Sequence, residues 1–317
     1  MRERDEHEAI PYSGIPTFLK APYIPEPTAA DGRVAVLGIP FDEGVTNRPG
    51  ARYGPRAMRE VSQFYAYRSG EEPYYDGETE TELLGGVRFI DVGDVGLPTM
   101  APAERRHPRV AARVAALLEA GLFPLVLGGD HSVTYPVLQG FGDRRPHLVQ
   151  LDTHMDYWEE EGGVATTHAS PIIRSHEAGL VAGVTQFGIR GLHTPADNIE
   201  LARSRGVTIR WAEEVKRTPI EELVAHIEPG APLYVTLDID VLDPAIAPGT
   251  GTPEPGGLTY YEAKALLRAV ALRGRLIGMD VVEVDPLYDP AQVTALHAVR
   301  LALDTLGAAF APRPDGA

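Results

Sequence analysis

Leu151-Asp152-Thr153-His154-Met155-Asp156 closes a mostly apolar run, Pro146-His147-Leu148-Val149-Gln150, and the two together predict a buried strand over 148–153. Side chains alternate faces along a strand, so Asp152, His154 and Asp156 point one way. On a straight strand, residues two apart stand roughly 6.6 Å from each other, and residues four apart roughly 13 Å. Asp152 and His154 can therefore serve two neighbouring metal ions. Asp156 joins them only if the strand ends near Thr153 and the chain curls back. Three metal-competent side chains this close together are not what packing requires.

Two further stretches repeat the arrangement. Leu233-Tyr234-Val235-Thr236-Leu237 runs into Asp238-Ile239-Asp240-Val241-Leu242-Asp243, with Asp238 and Asp240 on one face. Phe123-Pro124-Leu125-Val126-Leu127 ends in Gly128-Gly129-Asp130-His131-Ser132. A lone Asp or His in such a place is ordinarily a cap or a surface group. Three clusters at three strand ends point to a site, because open α/β sheets build their sites there.

Working outward, strands are expected at 34–40, 87–92, 185–189, 207–211 and 276–283, which brings the number to eight. Helices are expected from Pro55 to about Tyr67, from Pro102 to Gly121, after His131 as far as a break near Gly140, over 195–205 and 218–227, from Thr259 to about Leu272, and over 291–306. Thr259 and Glu262 have capping-box spacing. Strands alternating with helices, and apolar on both faces, specify an α/β fold: a single three-layer α/β/α domain with a mostly parallel eight-stranded sheet. Residues 1–32, with turn signals at Pro22, Pro25 and Pro27, read as an arm over the surface. Residues 33–310 read as the domain, and 311–317, with Pro312 and Pro314, as a flexible tail.

Composition narrows the classes of function. The 317 residues, 44% hydrophobic, can bury a substantial core. A formal charge of −16 argues against a nucleic-acid partner, since phosphate contact needs a basic face, and is compatible with a cationic substrate. There is no cysteine, hence no disulfide or thiol chemistry, and a cytoplasmic location is expected. Met1-Arg2-Glu3-Arg4-Asp5-Glu6-His7 is charged rather than apolar, unlike a signal peptide. No run of about 18 apolar residues exists to span a membrane. No Gly-x-Gly-x-x-Gly follows a strand and opens a helix, which argues against a dinucleotide site.

The three clusters carry a resemblance. Gly-Gly-Asp-His-Ser, Asp-Thr-His-Met-Asp and Asp-Ile-Asp-Val-Leu-Asp-Pro resemble the metal signatures of the ureohydrolase family, to which arginase and agmatinase belong, with Thr153 where that family usually has Ala. Arg48-Pro49-Gly50-Ala51-Arg52-Tyr53-Gly54-Pro55, Gln186 to Gly191 and Ala247 to Leu258 resemble the agmatinase branch. The likeness covers about residues 34 to 306 and agrees with the eight-stranded fold. It implies two divalent ions per subunit. His131, Asp152, Asp156 and Asp238 hold one; Asp152, His154, Asp238 and Asp240 hold the other. A thiolate-free set of oxygens and imidazoles favours Mn²⁺. Four carboxylates neutralise two such ions, and a hydroxide between them leaves one negative charge, which suits a guanidinium.

The resemblance further implies that Glu283 holds the guanidinium, that Asp156 takes part in proton transfer and that His168 shuttles a proton, although Ala169 follows it where the family has Gly. Family members often form homo-oligomers, trimers or hexamers. Asp130 and Asp243 are read as braces of the ligand loops, and His193, His226 and His297 as structural. The expected reaction is hydrolysis of a small cationic guanidino substrate to urea and an amine. Agmatine is preferred because Tyr157, Trp158 and Glu159, followed by Glu160 and Glu161, offer ring faces and carboxylates to an ammonium. The alternatives are a guanidinobutyrase, a guanidinopropionase, a guanidine hydrolase and, outside catalysis, a metal-binding scaffold subunit.

Overall fold

The computed structural model describes residues 12–67, 71–97 and 103–312. The described strands are β1 (Val34–Gly38), β2 (Tyr74–Asp76), β3 (Thr81–Leu83), β4 (Phe89–Asp94), β5 (Phe123–Leu127), β6 (His147–Leu151), β7 (Gly183–Ile189), β8 (Thr208–Trp211), β9 (Pro232–Asp238) and β10 (Arg275–Val282). The helices are α1 (Gly54–Ser62), α2 (Ala103–Glu119), α3 (Thr134–Phe141), α4 (Pro171–Glu177), α5 (Ala196–Ser204), α6 (Ala212–Arg217), α7 (Ile220–Val224), α8 (Tyr260–Arg273) and α9 (Val293–Ala309). Eight strands form one sheet in the order β4-β1-β5-β10-β9-β6-β7-β8, and every pairing in it is parallel.

Alternation along the strands divides the interior into two cores. On one face Val34, Val36, Leu125, Val235 and Leu237 pack with α1, α8 and α9; on the other Ala35, Leu37, Val126 and Tyr234 pack with α2, α3 and α4. This is the α/β/α layering anticipated from strands apolar on both faces. The topology sets β5, β10, β9 and β6 side by side, so the loops that leave their carboxyl ends meet over the middle of the sheet.

Several boundaries differ from the sequence reading, each for a local reason. β4 runs over Phe89–Asp94 rather than 87–92 because its ladder pairs Val34 with Phe89. α1 stops at Ser62 and passes into a 3-10 turn, Gln63–Tyr65. The helix expected over 218–227 is the shorter α7, Ile220–Val224, and α6, Ala212–Arg217, which was not expected, precedes it; the two are separate because Pro219 has no N–H to donate and Thr218 before it is extended (φ −94°, ψ 137°). The β2–β3 hairpin and α4 are too short to show a period. Pro102, expected to open a helix, lies outside the described residues, as do 1–11 of the arm and 313–317 of the tail. The described part of the arm lies against its own chain: Phe18 is buried, and Tyr23 bridges to Asp91 of β4. No helix among the described residues is long and apolar enough to cross a membrane.

Candidate metal centre

The loop after β5 begins with a close approach that only glycine permits. A Cβ on Gly129 would lie 1.7 Å from the Phe41 carbonyl oxygen, the same oxygen that accepts from Asp130 N–H at 2.7 Å. Asp130 then caps a short turn, His131–Val133, by accepting from Ser132 N–H and also from Gly44 N–H. His131 enters the site held from behind, with Nε2 2.8 Å from Thr236 Oγ1. Thr134 Oγ1 lies beside that hydroxyl and donates to the buried Asp280. A partner on Nε2 leaves Nδ1 to face the site.

β6 ends at Leu151, two residues before the expected Thr153. His154 N–H turns back to Asp152 Oδ1 at 2.6 Å, and Asp156 adopts φ 49°. That left-handed conformation costs a non-glycine residue roughly 1–2 kcal/mol. It brings the carboxylate back across the turn, so Asp156 Oδ2 comes to 2.7 Å from His131 Nδ1. After β9 the Asp238 side chain accepts from Asp240 N–H at 2.9 Å and starts the turn Ile239–Val241. Asp240 Oδ2 reaches 3.1 Å from His154 Nδ1.

All six expected ligand side chains therefore meet. His131 Nδ1 faces Asp152 Oδ2 at 3.0 Å and Asp238 Oδ2 at 3.3 Å as well as Asp156, yet it is aligned with none of them as a hydrogen bond. His131, Asp152 and Asp156 form one group able to hold a metal ion; Asp152, His154 and Asp240 form a second. Asp152 belongs to both. Burial pushes Asp238 well above the usual carboxylate range, and the charges of Asp240 and Asp152 add to it. Burial and the Asp152 charge likewise raise Asp156 to about 6. For His131 burial works against the charged ring, but the facing Asp156, Asp152 and Asp238 outweigh it and hold its pKa well above the ordinary value. Crowded acids around imidazole nitrogen are a cation site, and a divalent ion competes there with protons for the same atoms. Oxygen and imidazole donors without sulfur fit such an ion.

Glu283 follows β10 and is the second site residue with a left-handed backbone (φ 61°). Its Oε1 accepts from His131 N–H at 2.8 Å and stands 3.1 Å from His168 Nδ1, while Oε2 is buried without a partner. Burial alone would raise this carboxyl; the His168 hydrogen bond and charge outweigh it and lower its pKa. His168, whose ring burial favours the neutral form, is instead lifted to about 9 by Glu283 and Asp130. Its Nε2 lies 2.8 Å from Thr46 Oγ1, so the ring is fixed at both nitrogens despite Ala169. Asp243 turns away from the centre and accepts the N–H groups of Ala245, Gly256 and Gly257.

A cavity of about 450 Å³ opens above these groups, with His131, Asp156 and Asp238 in its floor. Of the aromatic and acidic loop, Trp158 and Glu161 line it. Tyr157 does not: it is fully buried, with its hydroxyl 2.8 Å from His176 Nδ1, because the curl at Asp156 turns the next side chain into the core. Glu159 is exposed and outside the lining, so the loop's acidic contribution comes from Glu161, whose Oε2 is buried without a hydrogen-bond partner. His193 was read as structural; it lines the cavity, with Nε2 3.6 Å from Glu254 Oε1. Arg48, Thr252 and Glu254 also line it and were not singled out as site residues, although all three stand in the stretches that carried the agmatinase likeness. Periodicity marks none of them, since they lie in loops: Arg48 in one, Thr252 and Glu254 together in another.

The family model described as the arginase family matches residues 32–307. The chain belongs to the arginase family. It is 36% identical over 314 residues to guanidinopropionase of Pseudomonas aeruginosa, covering 95% of this chain and 94% of that one. Agmatinase of Bacillus anthracis is 36% identical over 298 residues, covering 93% and 96%. The solved proclavaminate amidinohydrolase of Streptomyces clavuligerus superposes with a TM-score of 0.83 at 33% identity, covering 94% of this chain and 98% of that one. As a member of the arginase family the chain is a hydrolase, and its fold is the arginase-like one.

Proposed function

We propose that this chain is a binuclear-metal amidinohydrolase that splits a small guanidino compound into urea and an amine, with agmatine, which yields putrescine, as its substrate. The observation that carries the reading is the convergence of two His/Asp groups on the floor of a cavity beside Glu283, whose Oε2 lacks a partner. His131, Asp152, Asp156 and Asp238 would hold one ion, and Asp152, His154, Asp238 and Asp240 the other, with Mn²⁺ suited to the donor set. Two such ions, when bound, would supply Lewis acidity that makes a water at the centre acidic enough to attack at neutral pH.

The chain's own groups do the rest. Glu283 is fixed on one oxygen by His131 N–H, so its other oxygen is free to accept from a guanidinium and to orient the carbon above the centre. Asp156 reaches the same floor and can move a proton toward the leaving nitrogen. His168 touches Glu283 on one side and Thr46 on the other, which suits it to pass a proton outward. Glu161 and the ring of Trp158 would meet the ammonium at the far end of agmatine, an aromatic contact worth about 0.5–2 kcal/mol.

One observation favours a second reading. Arg48 also lines the cavity, 5.1 Å over the Tyr288 ring, and its guanidinium could meet the carboxylate of a guanidino acid. Urea release from agmatine, guanidinobutyrate, guanidinopropionate, arginine and guanidine at matched concentrations tests both. Agmatine should have the highest kcat/KM. A guanidino acid in first place transfers the assignment to Arg48, and no urea from any of them overturns the amidinohydrolase.

A further inference from the structure

Gln150 and Gln186 are cross-strand partners on β6 and β7, and both are fully buried directly beneath the centre. Gln186 Nε2 donates to Gln150 Oε1 and to Met155 O, both at 2.6 Å. Gln150 Nε2 donates in turn to Asp152 Oδ2 at 2.6 Å and to His154 O at 3.2 Å. The two amides thus point their N–H groups one way. Turning Gln150 around would set its carbonyl against the Asp152 carboxylate and the His154 carbonyl, and its NH₂ against the NH₂ of Gln186. Only one orientation satisfies the network. Gln186 Oε1 has no partner, so the chain of donors starts at Gln186 and ends at Asp152.

We propose that Gln150 and Gln186 are positioning residues for the metal centre: a directed amide relay that aims Asp152 Oδ2 at His131 and holds the curl that returns Asp156 to the site. The three atoms they grip fit this role. Asp152 Oδ2 is the oxygen 3.0 Å from His131 Nδ1. The His154 and Met155 carbonyls belong to the two residues before Asp156, where the backbone must turn into its left-handed conformation. The carboxylate is thereby fixed before any ion arrives, so less freedom is lost on binding. This inference rests on the metal-centre reading above, and its test separates the two.

Wild type, Gln150→Met, Gln186→Met and Gln186→Glu are equilibrated in manganese buffers of defined free concentration, and bound metal per chain is counted alongside the thermal midpoint of each metal-free protein. Methionine keeps the length and apolar stem while removing the donor. Gln150→Met should weaken manganese binding about 10- to 100-fold, with full occupancy regained at high manganese and KM for substrate then unchanged. Gln186→Met should do the same more weakly. Gln186→Glu should be at least as harmful as Gln150→Met, because an acceptor at 186 turns the Gln150 amide around. Should it fail to fold, the two methionine variants carry the test. Manganese affinities within twofold of wild type in the folded variants, with or without a lowered thermal midpoint, overturn the relay. Absence of metal from wild type at saturating manganese overturns the centre itself.

Discussion

The turns after β6 and β9 start alike and end differently. In each, an aspartate at the strand end accepts the N–H two residues on: Asp152 from His154, and Asp238 from Asp240. In each, the next candidate ligand, His154 or Asp240, is thereby aimed at the centre. The last acid then parts company. Asp156 curls back to His131, whereas Asp243 turns out to three backbone N–H groups. The spacings differ by one residue, Asp156 standing four after Asp152 and Asp243 five after Asp238, and so does what holds the backbone after the first turn. Buried glutamine amides grip 154 and 155, while Arg190 donates to the carbonyls of Asp240, Val241 and Leu242 and keeps that turn wound. Thr153 ties the turns together, donating through N–H to Asp240 Oδ1 and through its hydroxyl to Asp240 O.

The comparison can be broken most severely at Asp238. Asp238→Asn keeps the shape but removes a charge proposed to be shared by both ions. Loss of at least one metal per chain and near-complete loss of turnover are expected, measured by metal analysis and urea release. Glu283 comes next, as a group that shares the left-handed backbone of Asp156 but not its proposed role. Glu283→Gln should keep both metals and lower kcat/KM roughly 10- to 100-fold, the change that about 1.5–3 kcal/mol of charged hydrogen bonding corresponds to. Loss of metal in that variant would move Glu283 among the ligands.

Asp243→Ala sharpens the contrast from the other side. Metal content and turnover should hold, while stability falls by about 1–3 kcal/mol because backbone N–H groups lose their acceptor. The N–H groups of Ala245, Gly256 and Gly257, aided by Arg190, keep this carboxyl below the usual range against a modest opposing effect of burial. A depressed folded pKa contributes stability above the unfolded value of about 3.9, which is lost as the pH falls through the folded one. The gap between wild type and variant, read by denaturant unfolding, should therefore narrow below about pH 4. Thr153→Ala is the mildest change, with about 1 kcal/mol expected from the lost hydroxyl hydrogen bond and no change in metal content.

The fold was legible because its signals are long and repeated: eight apolar segments, each followed by a helix or a turn signal, leave few arrangements. The candidate ligands were legible because they sit next to those strands in sequence. Asp156 shows the limit. Its spacing on a straight strand put it out of reach, and only the early end of β6 at Leu151 and the grip of Gln150 and Gln186 bring it in. Tyr157 fails for the same cause, since the curl that recovers Asp156 sends the following ring into the core. Arg48, Glu161 and Glu254 reach the cavity from three loops far apart in the chain, and tertiary placement of that kind leaves no periodic trace.

The most direct test counts metal in three proteins side by side. Wild type, Asp238→Asn and Asp243→Ala are saturated with manganese, freed of loosely held ions and analysed for metal per chain. Two turns that share a binuclear centre, with Asp238 inside it and Asp243 outside, predict about two ions in wild type, the same in Asp243→Ala, and one or none in Asp238→Asn. Wild type with a single ion, or Asp238→Asn with the wild-type number and the wild-type rate, would contradict it.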